Sequence, residues 1–512
     1  MSDAQSGELR RTTALIMALL LMSAGATADP NGWRGDGTGH FPDQNPPTQW
    51  AKGADGKTAG IIWQKKMPHY SFASPLLVGD RLLIRCEPYD LVCLEARSGK
   101  LLWVRSHGPD EIVSPEQRKD PQWPEVAATT ARLSALNQAL YDSAEPPADL
   151  VGQKLQLQKR LGELTAHIDR QYRLAPEMWR SKWSGYTGST PCTDGRNVYF
   201  TSNMGVIGCY DLDGNRKWMA AEPVNSNRMG EHGCGSSPAV VGDRLIYCVA
   251  DDVVALNKET GEPLWRQTFN NADSFPSILA FESAGQHYVI GKRRFMRVED
   301  GSIVEFKDDH MLSMSMIATP VIKGNHGYFL DSAGRLEWIS WNTDAAGQLH
   351  IEREGLIEFA LADESKRWDN AYNFWVASPV ELNGLVYCLS CQGRMVIVDT
   401  VQKKIVYDKS PDLSPNMYKT GMHGGYIVGC CASPTLAGGH LYLMDNTGRT
   451  LVMEPGPDPK TITRNQIEQI VAPWDPKHFD APHQEATLSS PLFVDGRLYY
   501  RGEQYVYCIG KN

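Results

Sequence analysis

Between residues 237 and 265 short apolar runs are separated by two- to four-residue polar breaks. Ser237-Pro238-Ala239-Val240-Val241 is followed by Gly242-Asp243 and then by Arg244-Leu245-Ile246-Tyr247-Cys248. Val253-Val254-Ala255-Leu256 comes next, and Glu259-Thr260-Gly261-Glu262 leads into Pro263-Leu264-Trp265. The runs are rich in β-branched and aromatic residues, which fit strands. The Gly-Asp and Thr-Gly breaks supply the positive φ that tight hairpins require. The unit therefore predicts four consecutive antiparallel strands.

The unit recurs along the chain. Its leading proline appears at Pro75, Pro191, Pro238, Pro276, Pro320, Pro379, Pro434 and Pro491. The first gap is 116 residues and the others run from 38 to 59. A four-stranded propeller blade takes about 40 residues, so the longer gaps are a blade plus an insertion. An aromatic follows 27 to 30 residues after five of the prolines, at Trp103, Trp218, Trp265, Phe306 and Tyr407. The last copy runs out after three strands, near Cys508. Gly60-Ile61-Ile62-Trp63-Gln64 reads as the missing outer strand, displaced to the other end of the chain. Pairing the two would remove both exposed edges. The predicted fold is all-β: an eight-bladed β-propeller over 29–512, closed by N- and C-terminal strands. Cys93, Cys209 and Cys508 share a register with Ala255 and read as small buried packing residues.

The 116-residue gap carries a different period. Leu133, Leu136 and Leu140 share one helical face within 126–144, and Leu157, Leu161, Leu164, Ile168 and Tyr172 share another within 150–172. Glu145-Pro146-Pro147 separates them. The 107–182 stretch is expected to be a helical-hairpin insertion between blades one and two. It serves either as a partner-docking arm or as a decoration that packs its leucines inward.

At the N-terminus, Arg10-Arg11 precede an apolar run from Ala14 to Met22, and Ala26-Thr27-Ala28 follows. This is the layout of a secretory signal peptide over 1–28. Thr12-Thr13-Ala14 fits a twin-arginine signal poorly, so ordinary export to the periplasm or medium is expected. No cysteine follows the cleavage point, so no lipid or other membrane anchor is expected. The net charge of −9 disfavours nucleic-acid binding, which needs a basic surface. Eleven cysteines leave at least one unpaired.

In a propeller, the loops from one blade's outer strand to the next blade's inner strand gather at one end of the central channel, where ligands bind. Here they are the segments before each repeat proline. Arg228-Met229-Gly230-Glu231-His232-Gly233 and Lys419-Thr420-Gly421-Met422-His423-Gly424 share a basic-x-Gly-x-His-Gly pattern and precede blades three and seven, opposite one another. His232 and His423 are candidate catalytic groups, and Arg228, Glu231 and Lys419 candidate ligand contacts. The competing reading makes both motifs tight turns whose histidines cap a carbonyl. Trp368, Asn370 and Tyr372 suit a sugar ring, by stacking and hydroxyl hydrogen bonds, or pack between blades. His69 and His483 lie in the same class of loop. No metal-ligand motif, nucleophile elbow or phosphate loop is present.

Leu91-Val92-Cys93-Leu94-Glu95-Ala96-Arg97-Ser98-Gly99-Lys100-Leu101-Leu102-Trp103 and Val253 to Trp265 resemble the pyrroloquinoline quinone (PQQ) repeat of quinoprotein-like propellers. Trp33-Arg34-Gly35-Asp36-Gly37-Thr38-Gly39 looks like the opening of exported bacterial members of that group. The resemblance covers about residues 31 to 512 outside the insertion. It implies the fold, and it leaves function open among dehydrogenases, outer-membrane assembly scaffolds and other propellers. It also implies a possible vicinal disulfide at Cys430-Cys431, since PQQ alcohol dehydrogenases hold such a pair against the quinone, though near the start of their propeller. Their calcium ligands have no counterpart that can be placed here, so PQQ with calcium stays a minor expectation and the cofactor is otherwise open. The leading expectation is a propeller that binds a glycan-like small molecule or a partner protein at its loop face. The alternatives are an enzyme at that face (a carbohydrate-active lyase or hydrolase, or a PQQ oxidoreductase) and an assembly scaffold working through the helical insertion.

Overall fold

The computed structural model describes residues 32–52, 58–87, 89–107, 115–143, 147–172, 187–202, 205–221, 235–249, 251–269, 275–306, 317–360, 374–415, 429–471, 483–485 and 489–511. The expected signal peptide lies outside them.

Eight sheets form the blades of a propeller; seven are built on four consecutive antiparallel strands and the eighth on strands from both ends of the chain. Blade 1 runs Leu76–Val78, Arg81–Cys86, Asp90–Glu95 and Leu101–Ser106 from inner to outer strand. Blades 2 to 7 begin at Cys192, Ala239, Leu279, Val321, Val380 and Thr435. Blade 8 is built from both ends of the chain: Leu492–Val494, Arg497–Arg501 and Tyr505–Ile509 are completed by Ile61–Lys66, which pairs antiparallel to the last of them. The ring is closed as the sequence predicts, and neither terminus leaves an open edge there.

Tryptophan at the aromatic position explains the 27-to-30-residue spacing. Trp63, Trp103 and Trp218 each sit on an outer strand directly opposite a cysteine of the third strand, Cys508, Cys93 and Cys209, and Trp265 faces Ala255 in the same way. A bulge follows immediately in each case. Each indole then reaches the next blade. Trp63 Nε1 donates to Ala96 O (2.9 Å), Trp103 to Leu212 O (3.0 Å), Trp218 to Lys258 O (2.7 Å) and Trp265 to Val298 O (2.9 Å). The ring lies on a glycine of that blade's last turn. At Gly261, with φ +76°, an added Cβ would stand 2.6 Å from Trp218, so the position requires glycine twice over. Between these contacts the blades bury continuous apolar layers, such as Leu245, Tyr247, Val254 and Leu256 of blade 3.

One expectation needs correction. Pro276 marks the right blade in the wrong register: the inner strand of blade 4 is Leu279–Ser283, and Ile278 stands where the other blades carry proline. The hydroxyl geometry described below fixes that alignment.

The insertion forms two helices, α1 (Trp123–Asp142) and α2 (Ala148–Tyr172). Val126, Leu133, Leu161 and Leu164 pack between them and against Tyr89 of blade 1. Arg160 of α2 pairs with Glu125 of α1 (2.6 Å) on the exposed side. The hairpin is seated by polar contacts as well. Asp90, buried at the tip of blade 1, accepts from Tyr141 Oη (2.7 Å), from Asn137 Nδ2 (3.1 Å) and from Ser106 Oγ (2.6 Å). Lys154 of α2 lies 4.0 Å from the same carboxylate. Leu133, Leu161 and Leu164 of the stripe are therefore spent on the hairpin's own seat.

Candidate functional site at the channel mouth

The residue at the start of each inner strand carries a hydroxyl, and these eight hydroxyls form a closed circle. The backbone N–H of Ser74 donates to Thr190 Oγ1 (3.0 Å), that of Thr190 to Ser237 Oγ (3.0 Å) and that of Ser237 to Ser277 Oγ (3.2 Å). Ser277 continues to Thr319 (2.9 Å), Thr319 to Ser378 (2.9 Å) and Ser378 to Ser433 (3.0 Å). Ser433 donates to Ser490 (3.2 Å), and Ser490 to Ser74 (3.0 Å) completes the circuit. Each hydroxyl oxygen thus accepts one N–H from the neighbouring blade. Its own O–H finds no acceptor among the described residues.

A cavity of about 230 Å³ is lined by all eight of these residues. Phe72, Phe275, Ile317 and Val376 add apolar wall, Gly188 and Gly235 bring bare backbone, and Cys431 contributes a thiol. Trp33 completes the lining. It arrives from the N-terminal segment, which threads the central channel. Arg34 is buried, and its guanidinium donates to the carbonyls of Pro379 (2.9 Å) and Pro434, the residues following ring members Ser378 and Ser433. Gly39, with φ +68°, lies flat against that guanidinium; any Cβ there would collide with it. His40–Phe41 then adds a fifth, parallel strand to blade 7 along Leu436–Ala437. Beyond it, Tyr442 Oη donates to Pro47 O (3.1 Å) and Trp50 N donates to Asn465 Oδ1 (2.7 Å), so the segment passes along blade 7.

Burial pushes the Arg34 guanidinium down to about 9, with Asp36 opposing the shift. Asp36 itself is exposed and accepts from the Thr38 N–H (2.9 Å). The cavity is thus ringed by O–H donors, with a buried cation behind its tryptophan and no carboxylate in the described lining.

Of the expected site residues, Cys430 and Cys431 are described and carry free thiols. Cys430 is buried in the core of blades 6 and 7, and its N–H donates to Cys391 O (2.8 Å). Cys431 turns to the cavity and hydrogen-bonds the Cys391 thiol, a contact that lowers the Cys431 pKa and raises that of Cys391. His69 does not line the cavity. Its Nδ1 accepts from the Tyr70 N–H (3.0 Å), and its carbonyl accepts from Arg501. Burial, with Lys154 and Arg501 nearby, pushes the imidazole down to about 3, so it is neutral and structural in character. His483 contributes backbone to a two-stranded sheet with Ile470–Val471. Arg228, Glu231, His232, Trp368, Asn370, Tyr372, Lys419 and His423 lie outside the described residues. Trp375, next to that aromatic group, packs edge-on against Phe359 (4.9 Å) in the core.

The hydroxyl ring was not among the residues that the sequence pointed to. Seven of the eight ring residues stand immediately before a repeat proline, so a Ser/Thr-Pro dipeptide was the available signal.

PQQ with calcium requires carboxylate and carbonyl oxygens to hold the ion and cations to hold the quinone's acids. The described lining offers hydroxyls, apolar groups and a thiol. Among the described residues no three His, Cys, Asp or Glu side chains are placed to hold a metal ion. The described residues do not fit that cofactor. No helix among them is long and apolar enough to cross a membrane.

The profile of the family described as "Outer membrane protein assembly factor BamB" matches residues 174–274 and 203–455, together more than half of the chain. The chain belongs to this family of PQQ-repeat propellers. Among solved structures it is similar to the quinohemoprotein alcohol dehydrogenase from Comamonas testosteroni, at 11% identity over 95% of this chain and 82% of that one, TM-score 0.52. A europium-containing methanol dehydrogenase matches at 10% identity over 92% and 89%, TM-score 0.50. BamB from Moraxella catarrhalis matches at 14% identity over 92% and 98%, TM-score 0.37. The likeness to the two dehydrogenases is one of fold. No curated protein matches the sequence.

Proposed function

We propose that this chain is an exported, periplasmic or secreted, binding propeller whose ligand, a glycan-like small molecule, seats at the channel mouth. The observation that carries the reading is the cavity itself: a closed ring of hydroxyls beneath aromatic and aliphatic walls. Polyhydroxylated rings are held by that combination, apolar faces against aromatics and hydroxyls against hydroxyls. The cavity's volume of about 230 Å³ suits one or two sugar rings rather than a long chain. The histidine loops before blades 3 and 7 would cap the ligand, and a lyase or hydrolase using His232 and His423 remains the catalytic version of the same site.

Family membership favours a second reading, a partner protein. The hairpin's exposed face, with Glu125, Lys159, Arg160 and Glu163, is polar and would bind through charge rather than apolar area.

Thermal unfolding of the mature chain against neutral and acidic mono- and disaccharides, with PQQ plus calcium alongside, tests the proposal. A ligand at about 100 times its Kd adds roughly 2.7 kcal/mol. A saccharide-dependent rise, diminished in His232→Ala/His423→Ala, supports it. Stabilisation by PQQ alone, or by no small molecule, refutes it.

A further inference from the structure

The chemistry of the mouth selects among ligands of that class; the inference rests on the reading just given. Each ring hydroxyl has committed a lone pair to its neighbour's N–H, and its proton remains to be donated. Eight such donors surround one cavity. Arg34, the next residue, gives its hydrogen bonds to carbonyls rather than to a carboxylate, its Nε has no partner, and the exposed Asp36 offsets only part of the cost of burying its charge. A guanidinium buried with no acid hydrogen-bonded to it is costly, and a further anion brought near it is favoured. Trp33, with the Arg34 guanidinium 5.3 Å from its ring centre, separates that charge from the cavity by a single polarisable layer.

We infer that the channel mouth takes an anionic ligand, a sugar bearing a carboxylate, with the acid group directed at the hydroxyl ring above Arg34. Neutral sugars offer the ring no comparable acceptor, and a cationic ligand would meet eight donors and a buried positive charge. A carboxylate accepts up to four hydrogen bonds, and charge-assisted bonds are about twice as strong as neutral ones.

The experiment is isothermal titration of the full mature chain with galacturonate, its methyl ester and galactose, and with inorganic sulfate, at constant ionic strength. The ester keeps the shape and removes the charge. The acid should bind at least ten-fold tighter than the ester, and raising salt should narrow the gap. Arg34→Lys, which keeps the charge, should retain the preference, and Arg34→Met should lose it. Each variant is first melted, and if Arg34→Met does not fold, the acid–ester ratio in the wild type and in Arg34→Lys decides. Equal affinity for acid and ester overturns the inference and leaves the glycan reading standing. Sulfate binding with no sugar binding upholds the anion site and removes the glycan reading. No binding by any of the four overturns both.

Discussion

Glu485 gives the structure a pH dependence that can be worked through. Its carboxyl is enclosed at blade 8, where Oε1 accepts the N–H groups of Gln504 (2.8 Å) and Tyr505 and Oε2 accepts the Tyr507 hydroxyl. Burial raises its pKa from an ordinary 4.5 to about 7, against the opposing hydrogen bond from Tyr507. The folded state therefore holds this proton to a higher pH than the unfolded chain does. The group's contribution is complete below about pH 4.5 and is lost as pH rises through about 7. At about 1.4 kcal/mol per pKa unit the loss is about 3 kcal/mol by pH 8. In Glu485→Gln the amide oxygen can accept the same two N–H groups, and the amide nitrogen can donate to Tyr507, as the neutral acid does. The variant should match wild type at pH 4.5 and exceed it at pH 8 by about 3 °C in Tm for a chain of this length. His69, held neutral, costs stability as pH falls below 6.5, but it is present in both proteins and cancels in the difference. Calorimetric melts at half-unit steps from pH 4.5 to 8 provide the readout. A Tm difference that does not change with pH would show that Glu485 does not hold its proton in the folded state.

Other consequences are as direct. Gly261→Ala places a methyl in the Trp218 ring at positive φ and should cost about 2–4 kcal/mol, measured by urea unfolding; the exposed Gly242→Ala, with open space around it, should cost about 1 kcal/mol for its φ alone. Tyr141→Phe removes a hydrogen bond to the buried Asp90 carboxylate, and a loss of about 1.5–3 kcal/mol should release the hairpin first, seen as earlier cleavage within 107–182 by limited proteolysis. Trp63→Ala empties the indole seat on Gly99 at the ring closure and should cost about 3–5 kcal/mol; loss no greater than that of an exposed substitution would mean the closure bears no load. Iodoacetamide should label Cys431 first among the described cysteines, since the other nine are buried, and mass mapping of the alkylated peptides checks the order.

The sequence carried the architecture because a repeat states its packing many times. Trp103, Trp218 and Trp265 recur at one spacing because each must reach the next blade's glycine, and the orphan strand at Trp63 was visible because the last copy lacked one. The leucine stripes of α1 and α2 were legible for the same reason of period. Their seat was not: Asp90 looks like an ordinary turn residue until Tyr141 and Asn137 arrive from about 50 residues away. The channel filling was less legible still. Arg34 bonds carbonyls 345 and 400 residues distant, a relation with no local pattern. The hydroxyl ring lay between these cases, printed as Ser/Thr beside most of the repeat prolines, with Ser277 hidden by the two-residue offset of Pro276. Histidine stands out in a sequence because its chemistry is versatile, whereas a serine or threonine shows its role only when eight such hydroxyls close a circle.

The channel mouth is proposed as a ligand site. Its most direct test is a crystal structure of the mature chain soaked with galacturonate. The predicted result is sugar density above Trp33, with carboxylate oxygens at hydrogen-bond distance from ring hydroxyls such as Ser378 and Ser433. Density elsewhere on the propeller with an empty mouth, at a soak concentration that saturates binding in solution, would contradict it.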